Sequence, residues 1–117
     1  MRWTVIFTED FYLWYHEQPI SMRKRLAAAL INLSLWGPLL GRPLVDTVKN
    51  SRYPNMKELR MDWEGKPYRF FFAFDPQRRA VVLCGGDKSG RKHFYFDLIR
   101  KADEQFSRHL DELEKNR

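Results

Sequence analysis

At 117 residues, 44% hydrophobic and 15% aromatic, the chain has the length of one domain over 1–117 and is too apolar to be disordered. Its formal net charge of +6 points to an anionic partner (nucleic acid, an acidic protein, a membrane surface) or to solubility alone. A single cysteine, Cys84, excludes a disulfide framework and a thiol-rich metal site. The start has no apolar stretch of the kind a secretory signal carries, and the apolar runs are far shorter than a membrane span, so a cytoplasmic protein without a membrane partner is expected.

In chain order, Trp3 to Phe7 alternates as a short first strand. Thr8 with Glu9 and Asp10 has the pattern of a helix N-cap followed by acids in the first turn, and Phe11, Trp14 and Tyr15 form the stripe of the helix that follows. Ser21 is placed to cap a second helix with Met22, Leu26, Leu30 and Leu33 at helical spacing, ended by Gly37-Pro38. Leu39 to Asn55 has no clean period and reads as a surface loop. Its charged tip, Lys49 to Tyr53, is either solvated or in touch with a polyanion.

The next stretch organises the rest. Met56 to Met61, Tyr68 to Phe74 and Ala80 to Cys84 are apolar or alternating runs, separated by Asp62 to Pro67 and by Asp75 to Arg79. Two hairpins in succession make an antiparallel meander. A final helix starts near Tyr95, with Leu98, Ala102, Phe106 and Leu110 every fourth residue, a stripe suited to the core or to seating a partner. The order is β-α-α-β-β-β-α, an α+β class. The helices before the meander are long enough for a crossover that brings the first strand in parallel. One sheet face then buries helices and the other stays partly open.

Strand parity sorts the charges. Leu59 and Met61 face the helices, so Glu58 and Arg60 take the other side, and Arg69 joins them because Tyr68, Phe70, Phe72 and Phe74 form the apolar side of the next strand. A cross-strand ion pair explains such a trio without any catalytic role. Gly85 to Gly90 lacks the spacing of a phosphate-binding loop and reads as a turn with a basic tip. His16, His93 and His109 are scattered, so no metal or other cofactor is expected.

The fragments Leu40-Gly41-Arg42-Pro43, Lys57-Glu58-Leu59-Arg60, Tyr68-Arg69-Phe70-Phe71-Phe72 and Gly86-Asp87-Lys88-Ser89-Gly90 resemble the RelE/ParE toxin superfamily. More narrowly, they are similar to its HigB-type branch, the phage-derived Gp49-like proteins. The resemblance implies a small RelE-like fold and the toxin of a type II toxin–antitoxin pair. It further implies metal-free, ribosome-dependent cleavage of mRNA and a helix-turn-helix antitoxin of the HigA type. Carried over by position, Arg69 and Arg60 would contact the phosphate, Lys88 would add charge, and Tyr95 would stack on a base or assist proton transfer. The general base would be Glu58 or His93, with Glu58 alternatively only holding the arginines. Lys57, Lys49, Arg52, Arg91 and Lys92 are further candidates for RNA contact, although Lys57 is one residue out of phase with the lysines of RelE-type toxins. A ParE-like gyrase poison on the same fold and a non-catalytic RNA-binding module are the competing readings.

Overall fold

The strand Lys66–Phe74 lies in the middle of a five-stranded sheet and carries its densest run of aromatic residues. The computed structural model describes residues 2–116. In chain order the elements are β1 (Thr4–Phe7), α1 (Glu9–His16), α2 (Ile20–Trp36), β2 (Val45–Thr47), β3 (Lys57–Trp63), β4 (Lys66–Phe74), β5 (Arg79–Asp87) and α3 (Phe94–Lys115). The spatial order is β1-β5-β4-β3-β2, with β1 parallel to β5 and the other neighbours antiparallel. The crossover from β1 through α1 and α2 makes the parallel pairing possible, as the helix lengths predicted.

Local chemistry explains the turns. β3 and β4 are joined by Glu64-Gly65, both at positive φ, 50° and 73°. Two such residues between paired Trp63 and Lys66 match the right-handed twist of the strands, so the hairpin is tighter than the six-residue break read from the sequence. Asp75-Pro76 opens the second turn, and Arg78 at φ 61° closes it. The Thr8 hydroxyl caps α1 by accepting from the Phe11 amide at 3.2 Å. Ser21 does not cap α2. That helix starts one residue earlier, behind Pro19, and has no side-chain cap.

Both faces of the sheet are covered. Tyr68, Phe70 and Phe72 pack with Leu59 and Val82 against Phe11, Met22, Leu26 and Leu33 of α1 and α2. Phe71 and Ala73 are equally buried on the opposite face, with Met56, Val81 and Leu83, under Phe94, Leu98, Ala102 and Phe106 of α3. The face expected to be partly open is therefore roofed by α3, because the helical stripe of α3 finds there the only apolar strand residues the other helices leave. The stripe is core. Cys84 lies in this layer as a free thiol, pushed up to about 12 by burial, and is unreactive for that reason.

The Leu39 to Asn55 segment is not all loop. After a short 3-10 turn, Gly37–Leu39, it supplies β2, an edge strand paired to β3 with Val45 buried. Its tip is pinned to α3, since Ser51 and the Arg52 amide donate to Asp103 at 2.6 and 2.9 Å.

A bulge shifts the β4–β5 register. Phe71 pairs with Cys84 while Phe72 pairs with Val82, leaving Leu83 as the extra residue. Beyond it Gly85 lies against β4, where an added Cβ would meet the Phe70 ring at 2.3 Å and the Arg69 carbonyl at 2.8 Å. Gly85→Ala is expected to cost about 1–3 kcal/mol through this overpacking. Thermal unfolding would read it as a lower Tm.

Candidate RNA-cleavage site

The paired strands β3 and β4 place Arg60 directly opposite Arg69, with Glu58 one pleat along on the same face. Two arginines side by side repel each other unless an anion lies between them, and Glu58 is that anion. Its Oε1 accepts from Arg60 Nε at 3.0 Å and lies 3.9 Å from Arg69 Nε. Tyr95, from the first turn of α3, donates its hydroxyl to the same oxygen at 3.1 Å. Glu58 is 3% exposed, whereas the Arg60 side chain is 37% and the Arg69 side chain 13% exposed. A buried carboxylate thus sits beneath a partly accessible pair of guanidinium groups.

Several polar atoms there remain uncommitted. Glu58 Oε2 and Arg69 Nε are buried without a hydrogen-bond partner, while Arg69 Nη1 donates to the Tyr68 carbonyl at 3.0 Å. Burial, then the hydrogen bond to Glu58 and its charge, raise the Tyr95 hydroxyl above its ordinary value, with Arg69 acting in the opposite direction. The bond to Glu58 likewise raises Arg60.

Sequence reasoning did not identify Asp46. On the edge strand β2 it pairs with Glu58 across the ladder and accepts from Arg60 Nη2 at 3.2 Å and Arg42 Nη2 at 3.0 Å. The hydrogen bond from Arg42, then that from the Thr47 amide, lowers its carboxyl. Its sequence signal is no more than an acid in a segment without a clean period.

A groove of about 300 Å³ opens beside these groups and is lined by Lys49, Asp46, Glu58, Arg60, Tyr95 and Ile99 among others. Lys88 stands on the other side of Tyr95, its Nζ 5.6 Å from the ring centre. Glu58, Arg60, Arg69, Tyr95, Lys88 and Lys49 therefore gather in one region. Arg91, Lys92 and His93 line a neighbouring groove at the start of α3. Two candidates lie elsewhere. Lys57 is on the opposite face and donates to Thr47 at 2.9 Å, as its parity required. Arg52 lies along α3, stacked on Tyr53 at 5.6 Å and 3.5 Å from Ser107. Among the described residues no group of three or more His, Cys, Asp or Glu is placed to hold a metal ion.

Residues 14–107 match the family described as phage-derived protein Gp49-like. The chain is a member of the Gp49-like family. Two relatives in Mycobacterium tuberculosis carry HigB toxin names. One, named HigB2, is 49% identical over 89 residues, covering 74% of this chain and 44% of that protein. The chain thus spans less than half the length of that relative. Another, named HigB3, is 40% identical over 102 residues, covering 86% of this chain and 88% of its own. The Gp49-like chain also shares its fold with a free Escherichia coli toxin RelE carrying two arginine-to-alanine substitutions. The TM-score is 0.57 at 13% identity, over 80% of this chain and 92% of that one. This is the RelE-like α+β architecture that the sequence resemblance implies, with α1, α2 and α3 packed on a mixed sheet.

Proposed function

We propose that this protein is the toxin of a type II toxin–antitoxin pair and that it inhibits translation by cutting mRNA on the ribosome, in the cytoplasm. The observation that supports the chemistry is the convergence of Arg60, Arg69 and Tyr95 on one buried carboxylate at the floor of an accessible groove. The relatives named HigB support the toxin role. The antitoxin would be a small helix-turn-helix protein of the HigA type.

In this reading the RNA 2′-oxygen forms a bond to the adjacent phosphorus while the bond from phosphorus to the 5′-oxygen breaks. Tyr95 takes the proton of the 2′-hydroxyl as it passes its own to Glu58, along the hydrogen bond between them. Arg69 and Arg60 offer planar donors to the oxygens of the phosphorane, where charge accumulates. Lys88 carries the proton needed by the departing 5′-oxygen. His93, exposed at the start of α3, has no part in this arrangement.

Tyr95→Phe keeps the ring and removes the relay. It is expected to lower cleavage by about a hundredfold or more, within the range for proton-transfer catalysts. Primer extension on mRNA from translating extracts would quantify it, and cleavage at the wild-type rate would eliminate the relay. The reading as a whole is tested by inducing the chain in a bacterial host and mapping 5′ ends of cellular mRNA. Growth arrest with new codon-phased ends is expected. Arrest without new RNA ends would turn the assignment towards a gyrase poison, and no arrest towards a non-catalytic binding module.

A further inference from the structure

The first residues of α3 point three ways, because successive side chains on a helix diverge by about 100°. Phe94 is buried in the layer under α3, and Tyr95 reaches Glu58. Phe96 goes outward and is 69% exposed. A large aromatic in that position contributes nothing to the core. It borders a groove of about 550 Å³ whose other walls include Lys88, Arg91, Lys92 and His93.

Two of the cations, Lys88 and Arg91, are held in place. The Lys88 amide donates to the Pro67 carbonyl at 2.8 Å, tying the loop to β4. The Arg91 guanidinium lies over the Phe94 ring at 5.0 Å, and its Nη1 lies 3.6 Å from where a Cβ on Gly86 would be. The loop carboxylate Asp87 accepts from the Ser89 amide and hydroxyl at 2.8 and 2.6 Å, and its charge also acts on Lys66 and Arg91. Asp97, one residue beyond Phe96, is exposed, and no acid is among the residues lining the groove. An exposed ring bordered by cations is the arrangement that single-stranded nucleic acid uses: bases stack on the ring and phosphates meet the charges. Lys88 belongs to both regions, over Tyr95 on one side and lining this groove on the other.

We propose that this groove is a nucleotide subsite, in which one base of single-stranded RNA stacks on Phe96 while Lys88, Arg91 and Lys92 hold the flanking phosphates. The subsite rests on the nuclease reading for the strand that enters it, since it extends the proposed cleavage site past Lys88 along that strand. Its contribution is binding and placement of the RNA, not proton transfer.

The test is fluorescence anisotropy with a labelled RNA decamer that is 2′-O-methylated throughout, so that no attacking hydroxyl is present. Phe96→Ala is expected to weaken binding about tenfold, within the range for losing one stacked base. Phe96→Trp should bind within about twofold of wild type. The salt slope should not change in Phe96→Ala, because no phosphate contact is lost, whereas Lys92→Ala should make it shallower by about one. An abasic nucleotide moved along the decamer should weaken wild type about tenfold at one position and leave Phe96→Ala unaffected there. Binding by Phe96→Ala within twofold of wild type, or an abasic penalty that persists in it, would overturn the proposal. Mapping of 5′ ends separates this from the activity. New ends with normal Phe96→Ala binding would remove the subsite and keep the nuclease; Phe96-dependent binding with no new ends would do the reverse.

Discussion

Arg69→Ala is expected to abolish growth arrest and the new mRNA ends together, with cleavage reduced by about 10²–10³-fold. That is the cost of deleting one preorganised donor to a developing oxyanion. Arg69 is the group best placed for that task. It is the less exposed of the two arginines, and its Nη1 is fixed by the Tyr68 carbonyl while its Nε, 3.9 Å from Glu58 Oε1, has no hydrogen-bond partner. The fold should survive the change, since Glu58 retains Arg60 and Tyr95 as hydrogen-bond donors. Circular dichroism and thermal unfolding of the purified variant check this. Arg69→Lys keeps the charge but loses the planar fork, so it should recover only part of the activity. A soluble, folded Arg69→Ala that still cuts mRNA at the wild-type rate would remove Arg69 from the site.

The second large effect is on stability and comes from the far end of the sheet. Asp75 begins the β4–β5 turn, and its side chain is fully buried. Its Oδ1 accepts from the amides of Gln77 and Arg79, both at 3.0 Å. Its Oδ2 accepts from Arg79 Nε at 3.0 Å and lies 2.8 Å from His109 Nε2 on α3. One carboxylate thus shapes the turn and anchors the helix that roofs the sheet. Asp75→Ala leaves those donors without it and should cost about 3–5 kcal/mol, as removing one member of a buried pair does. For a chain of this length that is a fall in Tm of about 10–20 °C. A calorimetric Tm within a few degrees of wild type would refute it.

The pH dependence of this anchor has a definite sign. Burial raises the Asp75 carboxyl, but the hydrogen bonds from His109 and Arg79 outweigh it and hold the group below its ordinary 3.8. A depressed folded value means that the stabilisation is complete above the unfolded value and is lost as pH falls through the folded one. Wild type should therefore lose more stability than Asp75→Ala on acidification below about pH 4.

Features that depend on local geometry are legible in the amino-acid order. A strand has a side-chain period of two, so Glu58, Arg60 and Arg69 were assigned to one face before any contact was known, and Lys57 to the other. Thr8, Glu64-Gly65 and Asp75-Pro76 announce cap and turns through short-range hydrogen bonding and backbone preference, although the boundaries of the first hairpin came out too wide. The four-residue stripe of α3 marks a face that the core or a partner must cover, and its packing on the sheet makes it core.

How distant segments meet is legible only once the elements have packed. β2 has three residues, too few for a period, and exists because β3 offers it an edge. Asp46 became visible as a partner of Arg60 only with that pairing. Tyr95 reaches Glu58 across 37 residues because α3 crosses the sheet face that had been expected to stay partly open. The same crossing brings His109 to Asp75 and leaves Phe96 pointing away from everything the helix covers. Helical and strand periods say which side of an element a residue occupies. What stands opposite that side depends on how the elements pack, and packing is set by the whole apolar surface at once.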